Sequence, residues 1–318
     1  MQFRTRLAPP PSSILIDHTR PIIMLGSCFS SEIGTRLADR FFQVDINPFG
    51  TLYNPLSISR AVNLILDRRH FGPTDLVEHD GLYHSMLHHG DFSSPSVELT
   101  VNAINSRVDA AADFILTPGV TLIVTFGSAI AFFLKSTGDV AGNCHRMSAG
   151  LFDQRDLSID EIVAEWHTLI DRLLSLNPSL RIIFTVSPIR HKAYGYPADR
   201  LSKSRLLLAV NELVNAYPDT TCYFPAYDIM MDDLRDYRFY AADMVHPSQV
   251  AADYIYVLFA RTHYGPGVEN VASDAVCYSR LLSHRPMHNP QLHHARIVKA
   301  REILVSRHPV LESIVPHL

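Results

Sequence analysis

Two separated stretches of the sequence carry residue types that act together in nucleophilic catalysis. Near the N-terminus, Ser27 and Cys28 follow Gly26, and a hydroxyl or thiol at a tight turn can attack a carbonyl carbon. Far along the chain, Asp243 lies three residues before His246, a spacing that lets the carboxylate bond one imidazole nitrogen while the other acts as general base. The two stretches predict a nucleophile, a base and an orienting carboxylate. The alternative is a pair of helix caps beside a structural histidine and a buried cysteine.

The candidate nucleophile lies where a strand gives way to a helix. Residues 21–25 form a short apolar run typical of a buried strand, and a helical pattern begins at Phe29. At a helix N-terminus, partial positive charge stabilises a thiolate and backbone N–H groups can bind an oxyanion. We therefore expect the helix and a protonated His246 to lower the pKa of Cys28.

The elements that must position these residues alternate along the chain. Residues 120–126 and 181–186 are almost wholly apolar, which indicates strands buried on both faces and hence a parallel sheet. Ser158 and Glu161 form a capping box before a helix that carries Trp166 on its apolar face. Further strands are predicted near residues 41–46 and 222–225, and further helices over residues 202–216 and 248–259.

This alternation predicts an α/β protein with three layers, α/β/α, around a parallel sheet of about five strands. Residues 68–100, rich in His and Gly, interrupt the alternation and predict an insertion. Residues 265–318 predict a C-terminal helical extension packed on a main domain of residues 1–264.

Ligands of such sheets bind beyond the carboxyl ends of the strands. Arg190 and His191 follow the predicted strand 181–186, where they could hold a carboxylate or phosphate of the substrate. The alternative is that Arg190 pairs with Asp232, Asp233 or Asp236.

A group of histidines in the insertion raises the question of a metal site. His84 and His88 would share one face of a helix, with His79, His89 and Asp91 nearby. Neighbouring Gly and Ser residues favour an irregular loop instead, so we predict no metal ligands here and a wall of the substrate pocket as the loop's role.

Composition excludes several classes of protein. The chain of 318 residues has a net charge of −4 and no clustered basic stripe, so we expect no nucleic-acid partner. No apolar run approaches the ~20 residues of a membrane-spanning helix, and no glycine-rich nucleotide or cofactor motif occurs. The N-terminus has prolines where an export signal needs an apolar stretch, and the four cysteines lie far apart. We therefore expect a cytoplasmic protein without disulfides or cofactors.

Several ordered motifs resemble the GSCFA-motif proteins, which are placed in the SGNH (GDSL-like) hydrolase superfamily. The motifs occupy residues 24–30, 47–51, 84–93, 125–129, 142–146, 185–191, 223–227, 232–239, 243–248 and 284–286. The resemblance implies a flavodoxin-like SGNH-hydrolase fold, with the nucleophile in the first block and an Asp-x-x-His pair in the last.

When Gly26-Ser27-Cys28 is aligned with the Gly-Asp-Ser block of the superfamily, Cys28 occupies the nucleophile position and Ser27 the position of the aspartate. We favour Cys28 as the nucleophile. Ser27 is the alternative, because a shift of one residue in the turn would place its hydroxyl in the nucleophile position. The resemblance also implies an oxyanion hole that includes a glycine and an asparagine, for which Gly50 and Asn143 are the candidates. His145, two residues after Asn143, is a candidate for substrate binding.

The predicted function is acyl transfer by an esterase, thioesterase or acyltransferase that acts on a small-molecule or carrier-bound acyl substrate. In it, His246 is the general base and Asp243 orients it. The main alternative is a non-catalytic flavodoxin-like module that binds a small acylated or anionic ligand, and a metallohydrolase is a third possibility.

Overall fold

Short apolar runs form three central strands of the computed structural model, Ile22–Gly26, Thr121–Phe126 and Arg181–Val186. The structure describes residues 5–285 and 288–316, and Pro286 of the last family-like motif lies outside them. The strands are β1 (Ile22–Gly26), β2 (Val44–Ile46), β3 (Leu76–His79), β4 (Leu82–Ser85), β5 (Thr121–Phe126), β6 (Ile130–Leu134), β7 (Val140–Ala141), β8 (Phe152–Asp156), β9 (Arg181–Val186) and β10 (Thr221–Phe224). The helices are α1 (Cys28–Ala38), α2 (Pro55–Leu66), α3 (Val97–Ile115), α4 (Ile159–Leu176), α5 (Tyr196–Ala216), α6 (Ala226–Asp228), α7 (Gln249–His263), α8 (Val268–Ser283) and α9 (Pro290–Arg307).

The central sheet has five parallel strands in the order β2-β1-β5-β9-β10. Counted within this sheet alone, the order is 2-1-3-4-5, which is that of the flavodoxin-like doubly wound folds. Gly26 is in register with Thr125, and Thr125 with Thr185, so the carboxyl ends of the three middle strands lie at one edge. The predicted five-stranded parallel sheet is confirmed.

Alternating strand residues supply two apolar cores, one on each face of the sheet. Ile23 and Leu25 of β1 pack with residues of α2, α3, α4 and α5. Ile22 and Met24 face the other way and pack with α1 and α7. Trp166 of α4 is fully buried, and its indole N–H donates to the carbonyl oxygen of Pro55 at 3.1 Å. Helices therefore cover both faces, which confirms the predicted three-layer arrangement.

The predicted insertion contains regular structure. β3 and β4 pair as an antiparallel hairpin, and the last residues of the predicted 68–100 range belong to α3, which Ser96 caps. A second antiparallel sheet, β7-β6-β8, follows β5 and was not predicted. β8 reads Phe-Asp-Gln-Arg-Asp with four exposed residues, so it carries no apolar signal that sequence analysis could use.

Helix α5 begins at Tyr196, six residues before the predicted start. Pro197 lies in its first turn, where a missing N–H costs no hydrogen bond, so the proline marks a helix start rather than a loop. The extra turn carries Asp199 and Arg200, which both bear on the candidate site.

Beyond α7, the described residues form α8 and α9, which share an apolar cluster that includes Tyr278, Ile297 and Leu304. The division of the chain at residue 264 stays a prediction. Within residues 5–285 and 288–316, no helix is both long and apolar enough to cross a bilayer. Cys28, Cys144, Cys222 and Cys277 are free thiols.

We predict that Gly26→Ala destabilises the protein by at least about 2 kcal/mol in urea unfolding, because a Cβ atom there has no room. That atom would lie 2.2 Å from the carbonyl oxygen of Thr125, and Gly26 has a φ of +142°. Gly81→Ala is the matched control, since φ there is +73° and nothing lies within 4 Å of the added atom. Equal losses in the two variants would show that the contact between β1 and β5 is unimportant.

Candidate active site

The turn after β1 gives Ser27 and Cys28 different environments. Ser27 is the N-cap of α1; it is 1% exposed, and its Oγ accepts a hydrogen bond from the N–H of Phe29 at 3.3 Å. Cys28 is the first residue of the helix, is half-buried and lines a cavity. The hydroxyl of Ser27 is therefore occupied by capping, whereas the thiol of Cys28 faces the space where a substrate would lie.

Asp243 and His246 lie in a loop that is closed on itself before α7. The N–H of Ala241 donates to the carbonyl oxygen of His246 at 2.7 Å, and that of Ser248 to the carbonyl oxygen of Phe239 at 2.7 Å. One carboxylate oxygen of Asp243 accepts from the N–H of His246 at 3.0 Å, while the other lies 2.6 Å from its Nδ1. Backbone and side-chain bonds together hold the imidazole in one orientation.

The structure brings the two stretches into contact across 218 residues. Sγ of Cys28 lies 3.8 Å from Nε2 of His246. Because Asp243 engages Nδ1, that nitrogen carries the proton in the neutral ring and Nε2 presents its lone pair to the thiol. The predicted Cys28, His246 and Asp243 therefore form one continuous line of side chains.

This line lies at the edge of a cavity of about 430 Å³. The cavity is bounded by the turn after β1, the residues after β5 and β9, and the His246 loop; its lining includes Tyr53, Asn54, Asn143, Arg190, His191 and His246. Asn143, Arg190 and His191 thus line the same cavity as Cys28 and His246.

The structure does not bring Gly50 or His145 to this cavity. The N–H of Gly50, the predicted oxyanion donor, already donates to the carbonyl oxygen of Asn47 at 2.7 Å. Nε2 of His145 is hydrogen-bonded to the carbonyl oxygen of Ser85 at 2.9 Å, and its ring lies against that of His84. Both residues serve the architecture of the loops beside the site, so neither prediction gains support from the geometry.

Tyr53 and Asn54 line the cavity, and sequence analysis missed them. Oδ1 of Asn54 accepts the N–H of Ser57 at 2.8 Å and caps α2; none of the hydrogen bonds between described residues uses its Nδ2. Burial raises the pKa of Tyr53, and the nearby Cys28 adds to the shift. The available signal was the Asn54-Pro55 pair, which marks a helix start.

Burial dominates the electrostatics of Cys28. It raises the pKa of the thiol, outweighing the lowering effect of the N–H groups of Cys28 and Phe29 at the start of the helix. The expected lowering of the Cys28 pKa was wrong, because that expectation counted the helix and left out desolvation. In contrast, the N–H of His246, followed by that of Val245, lowers the pKa of Asp243 to about 2, so this carboxylate stays ionised.

Arg190 and His191 differ in charge. Nε of Arg190 lies 3.5 Å from the carboxylate of Asp199, a buried residue of α5, rather than pairing with Asp232, Asp233 or Asp236. Burial, and then the charge of Lys203, lower the pKa of His191 to about 4. His191 is therefore neutral near pH 7, and Arg190 alone of the two can offer a positive charge.

Lys203 is a second residue that sequence analysis missed. It is 1% exposed, and its ammonium donates to the carbonyl oxygens of Gly127 at 2.6 Å and Ser187 at 2.8 Å, just beyond the ends of β5 and β9. Burial lowers its pKa to about 7. The signal was a lysine on the apolar face of α5, in helical register with Leu206 and Val210.

The histidines of the insertion are engaged with protein groups. Nδ1 of His84 lies 2.7 Å from Oγ of Ser93, and Nδ1 of His88 lies 2.8 Å from Oγ of Ser85. His88 is buried and stacked on Phe49 at a centroid distance of 4.0 Å. In the part of the chain that the structure describes, no group of three or more His, Cys, Asp or Glu side chains is arranged to hold a metal ion.

A family model and several solved structures match this chain. The model of the GSCFA family matches residues 21–259. Among solved structures, the chain is similar to a carbohydrate esterase family 2 enzyme with a carbohydrate-binding domain from Corynascus thermopiles (Myceliophthora fergusii), at 12% identity and a TM-score of 0.40, covering 86% of this chain and 69% of that one.

Two further solved structures are similar to the chain. A carbohydrate esterase family 3 protein from Talaromyces cellulolyticus has 9% identity and a TM-score of 0.37, with 80% of this chain and 99% of that chain covered. An acetyl xylan esterase from the rumen bacterium Butyrivibrio proteoclasticus has 12% identity and a TM-score of 0.36, with 84% and 65% covered. No curated protein matches the sequence.

We predict that iodoacetamide alkylates Cys28 slowly at neutral pH, and that the rate still rises at pH values where an exposed cysteine is fully ionised. The reason is that burial raises the pKa of this thiol and the thiolate is the reacting form. Peptide mass spectrometry measures each cysteine separately, with the exposed Cys277 as internal reference. A Cys28 rate that levels off near neutral pH would contradict the raised pKa.

Proposed function

The chain belongs to the GSCFA family, and from that premise we propose that it is an acyl-transfer enzyme in which Cys28 attacks an ester or thioester carbonyl. The observation that carries the proposal is the contact between Sγ of Cys28 and Nε2 of His246 at 3.8 Å, with Asp243 held 2.6 Å from Nδ1 on the far side of the ring. A nucleophile, a base and a group that orients the base are the parts that acyl transfer needs.

The raised pKa of Cys28 indicates which form of the thiol starts the reaction. In the resting pair the thiol holds its proton, so neutral His246 takes that proton from Sγ as sulfur bonds to the carbonyl carbon. Asp243 accepts the Nδ1–H bond and stabilises the imidazolium that forms. The thiol is thus activated at the moment of attack, rather than stored as a thiolate.

Collapse of the tetrahedral intermediate releases the alcohol or thiol of the substrate. His246 returns its proton to that leaving oxygen or sulfur, and the acyl group remains on Sγ as a thioester. Water, or the hydroxyl of an acceptor, then loses a proton to His246 and attacks the thioester carbonyl. Cys28 leaves with the proton from His246, which restores the resting pair, and the product is an acid or a new ester.

The oxyanion of the intermediate needs donors on the cavity side of Cys28. The backbone N–H of Cys28 belongs to the first turn of α1, where N–H groups have no helical partner. Asn54 and Asn143 line the same cavity and each has a side-chain amide, while Oδ1 of Asn143 accepts the N–H of His145 at 2.8 Å. Each positioned donor contributes roughly 3 kcal/mol to stabilising the transition state.

Ser27 is the less favourable nucleophile in this proposal. Its side chain is almost fully buried and caps α1, whereas the cavity is lined by Cys28. Using Ser27 would require breaking the cap, which costs about 1 kcal/mol, and turning the hydroxyl out of its buried position.

We predict that Cys28→Ala abolishes the covalent acyl intermediate that intact-mass analysis detects after incubation with p-nitrophenyl acetate. His246→Ala is expected to lower the rate of p-nitrophenol release by at least about 100-fold, since the positioned base is lost. Ser27→Ala is the matched control: it removes the neighbouring hydroxyl and the cap but leaves the acylation of Cys28 within a few fold of the wild-type rate.

Acyl mass that persists in Cys28→Ala, or a wild-type rate in His246→Ala, would overturn the proposed mechanism. A wild-type protein that forms no adduct with esters or thioesters, yet binds an acylated ligand, would instead be a non-catalytic binding module.

A further inference from the structure

A second depression adjoins the cavity on the side of the His246 loop. It has a volume of about 660 Å³, and we call it the tyrosine–arginine groove. The groove is lined by three arginines, four tyrosines, two methionines and two aspartates: Arg190, Arg200, Arg235, Tyr196, Tyr227, Tyr237, Tyr240, Met231, Met244, Asp232 and Asp236. Nothing in the acyl-transfer mechanism uses these residues.

The groove and the cavity at Cys28 share part of their lining. Arg190 lines both the cavity and the groove. On the His246 loop, Met244 lines the groove while Val245 and His246 line the cavity, and Met244 has a left-handed φ of +60°. A non-glycine residue holds that conformation only where the surroundings require it. Arg190 and the segment from Met244 to His246 therefore lie between the cavity and the groove.

The groove has guanidinium groups that the protein leaves available. Arg200 and Arg235 are exposed, and neither makes an ion pair with another described residue. Two other charged groups of the groove are already in ion pairs, Arg190 with Asp199 and Asp236 with Arg238 at 2.9 Å. The remaining charges of the lining are the guanidinium groups of Arg200 and Arg235 and the single carboxylate of Asp232. A planar guanidinium binds phosphate or carboxylate through two parallel hydrogen bonds.

Aromatic faces lie beside these charges. Tyr237 is 76% exposed, and its ring centroid lies 6.1 Å from that of Tyr240. Arg190 stacks over the ring of Tyr196 at 4.2 Å. Tyr227 lines the same groove as Arg190 and Arg200. Such surfaces bind flat or cyclic groups that carry negative charge nearby.

We propose that the tyrosine–arginine groove binds the leaving group of the acyl substrate, which carries a phosphate or carboxylate held by Arg200 and Arg235 next to a ring stacked on the tyrosines. This inference rests on the proposed acyl transfer at Cys28 and assigns its substrate class: an ester or thioester with an anionic alcohol or thiol part.

Three thioesters with the same reactive end test the proposal. Acetyl-coenzyme A carries phosphates and a ring, S-acetylglutathione carries carboxylates, and S-acetyl-N-acetylcysteamine carries no charge. We expect the wild-type kcat/KM to be at least about tenfold higher for one of the anionic thioesters than for the neutral one. The preferred anionic thioester distinguishes a phosphate from a carboxylate ligand.

Arg200→Gln and Arg235→Gln should each lower kcat/KM for the preferred anionic thioester about tenfold, and leave the neutral thioester within twofold of wild type. Added salt should weaken the preference in the wild type, because the arginines are exposed. Arg261→Gln is the matched control, since Arg261 is also exposed and lines neither the cavity nor the groove.

Equal wild-type rates on the three thioesters, or equal losses on all of them in the arginine variants, would overturn the groove proposal. If no thioester is turned over, the proposed acyl transfer is wrong. The groove proposal is then tested by measuring binding alone. The measurement is calorimetric titration with coenzyme A and with glutathione. Binding that is about tenfold weaker in the double variant Arg200→Gln/Arg235→Gln than in the wild type supports the groove proposal. A wild type that binds neither compound, or a double variant that binds as tightly as the wild type, overturns it.

Discussion

The backbone of Gly26 lies so close to Thr125 that no side chain fits between the ends of β1 and β5. This close approach sets the position of the turn that follows β1. Ser27 caps α1 immediately afterwards, and Cys28 begins the helix at the edge of the sheet. The buried ammonium of Lys203 on α5 donates hydrogen bonds to two carbonyl oxygens, one just beyond β5 and one just beyond β9. The ends of three strands are therefore fixed relative to one another, and the cavity lies on them.

Desolvation decides the charges around this cavity. It favours the neutral forms of Cys28 and His191, while Asp243, exposed and hydrogen-bonded by backbone N–H groups, stays ionised. A half-buried neutral thiol is a poor nucleophile until a base removes its proton. The proposed chemistry therefore depends on the orientation of His246, which the closed loop before α7 provides through backbone hydrogen bonds as well as through Asp243.

The sequence was informative where one local pattern decides the structure. Buried parallel strands are runs of apolar residues, so β1, β5 and β9 could be placed closely, and the Asp243–His246 spacing indicated a side-chain bond. The sequence was uninformative where a residue's role depends on its hydrogen-bond partner or its burial in the folded chain. The motif around Gly50 does not show that its N–H is used by Asn47, and the pKa of Cys28 depends on burial that only the folded chain creates. Asp199 was missed as the partner of Arg190 because the start of α5 was placed too late.

In the proposed reaction, Sγ of Cys28 is the atom that becomes acylated. A crystal structure of the protein after reaction with a β-lactone tests this most directly, because such a ring acylates cysteine and serine nucleophiles alike. We expect continuous density from Sγ of Cys28 to the opened acyl chain, with the acyl oxygen facing the N–H of Cys28 and Nε2 of His246 beside the thioester. An ester on Oγ of Ser27, or an adduct on a residue outside the cavity, would contradict it.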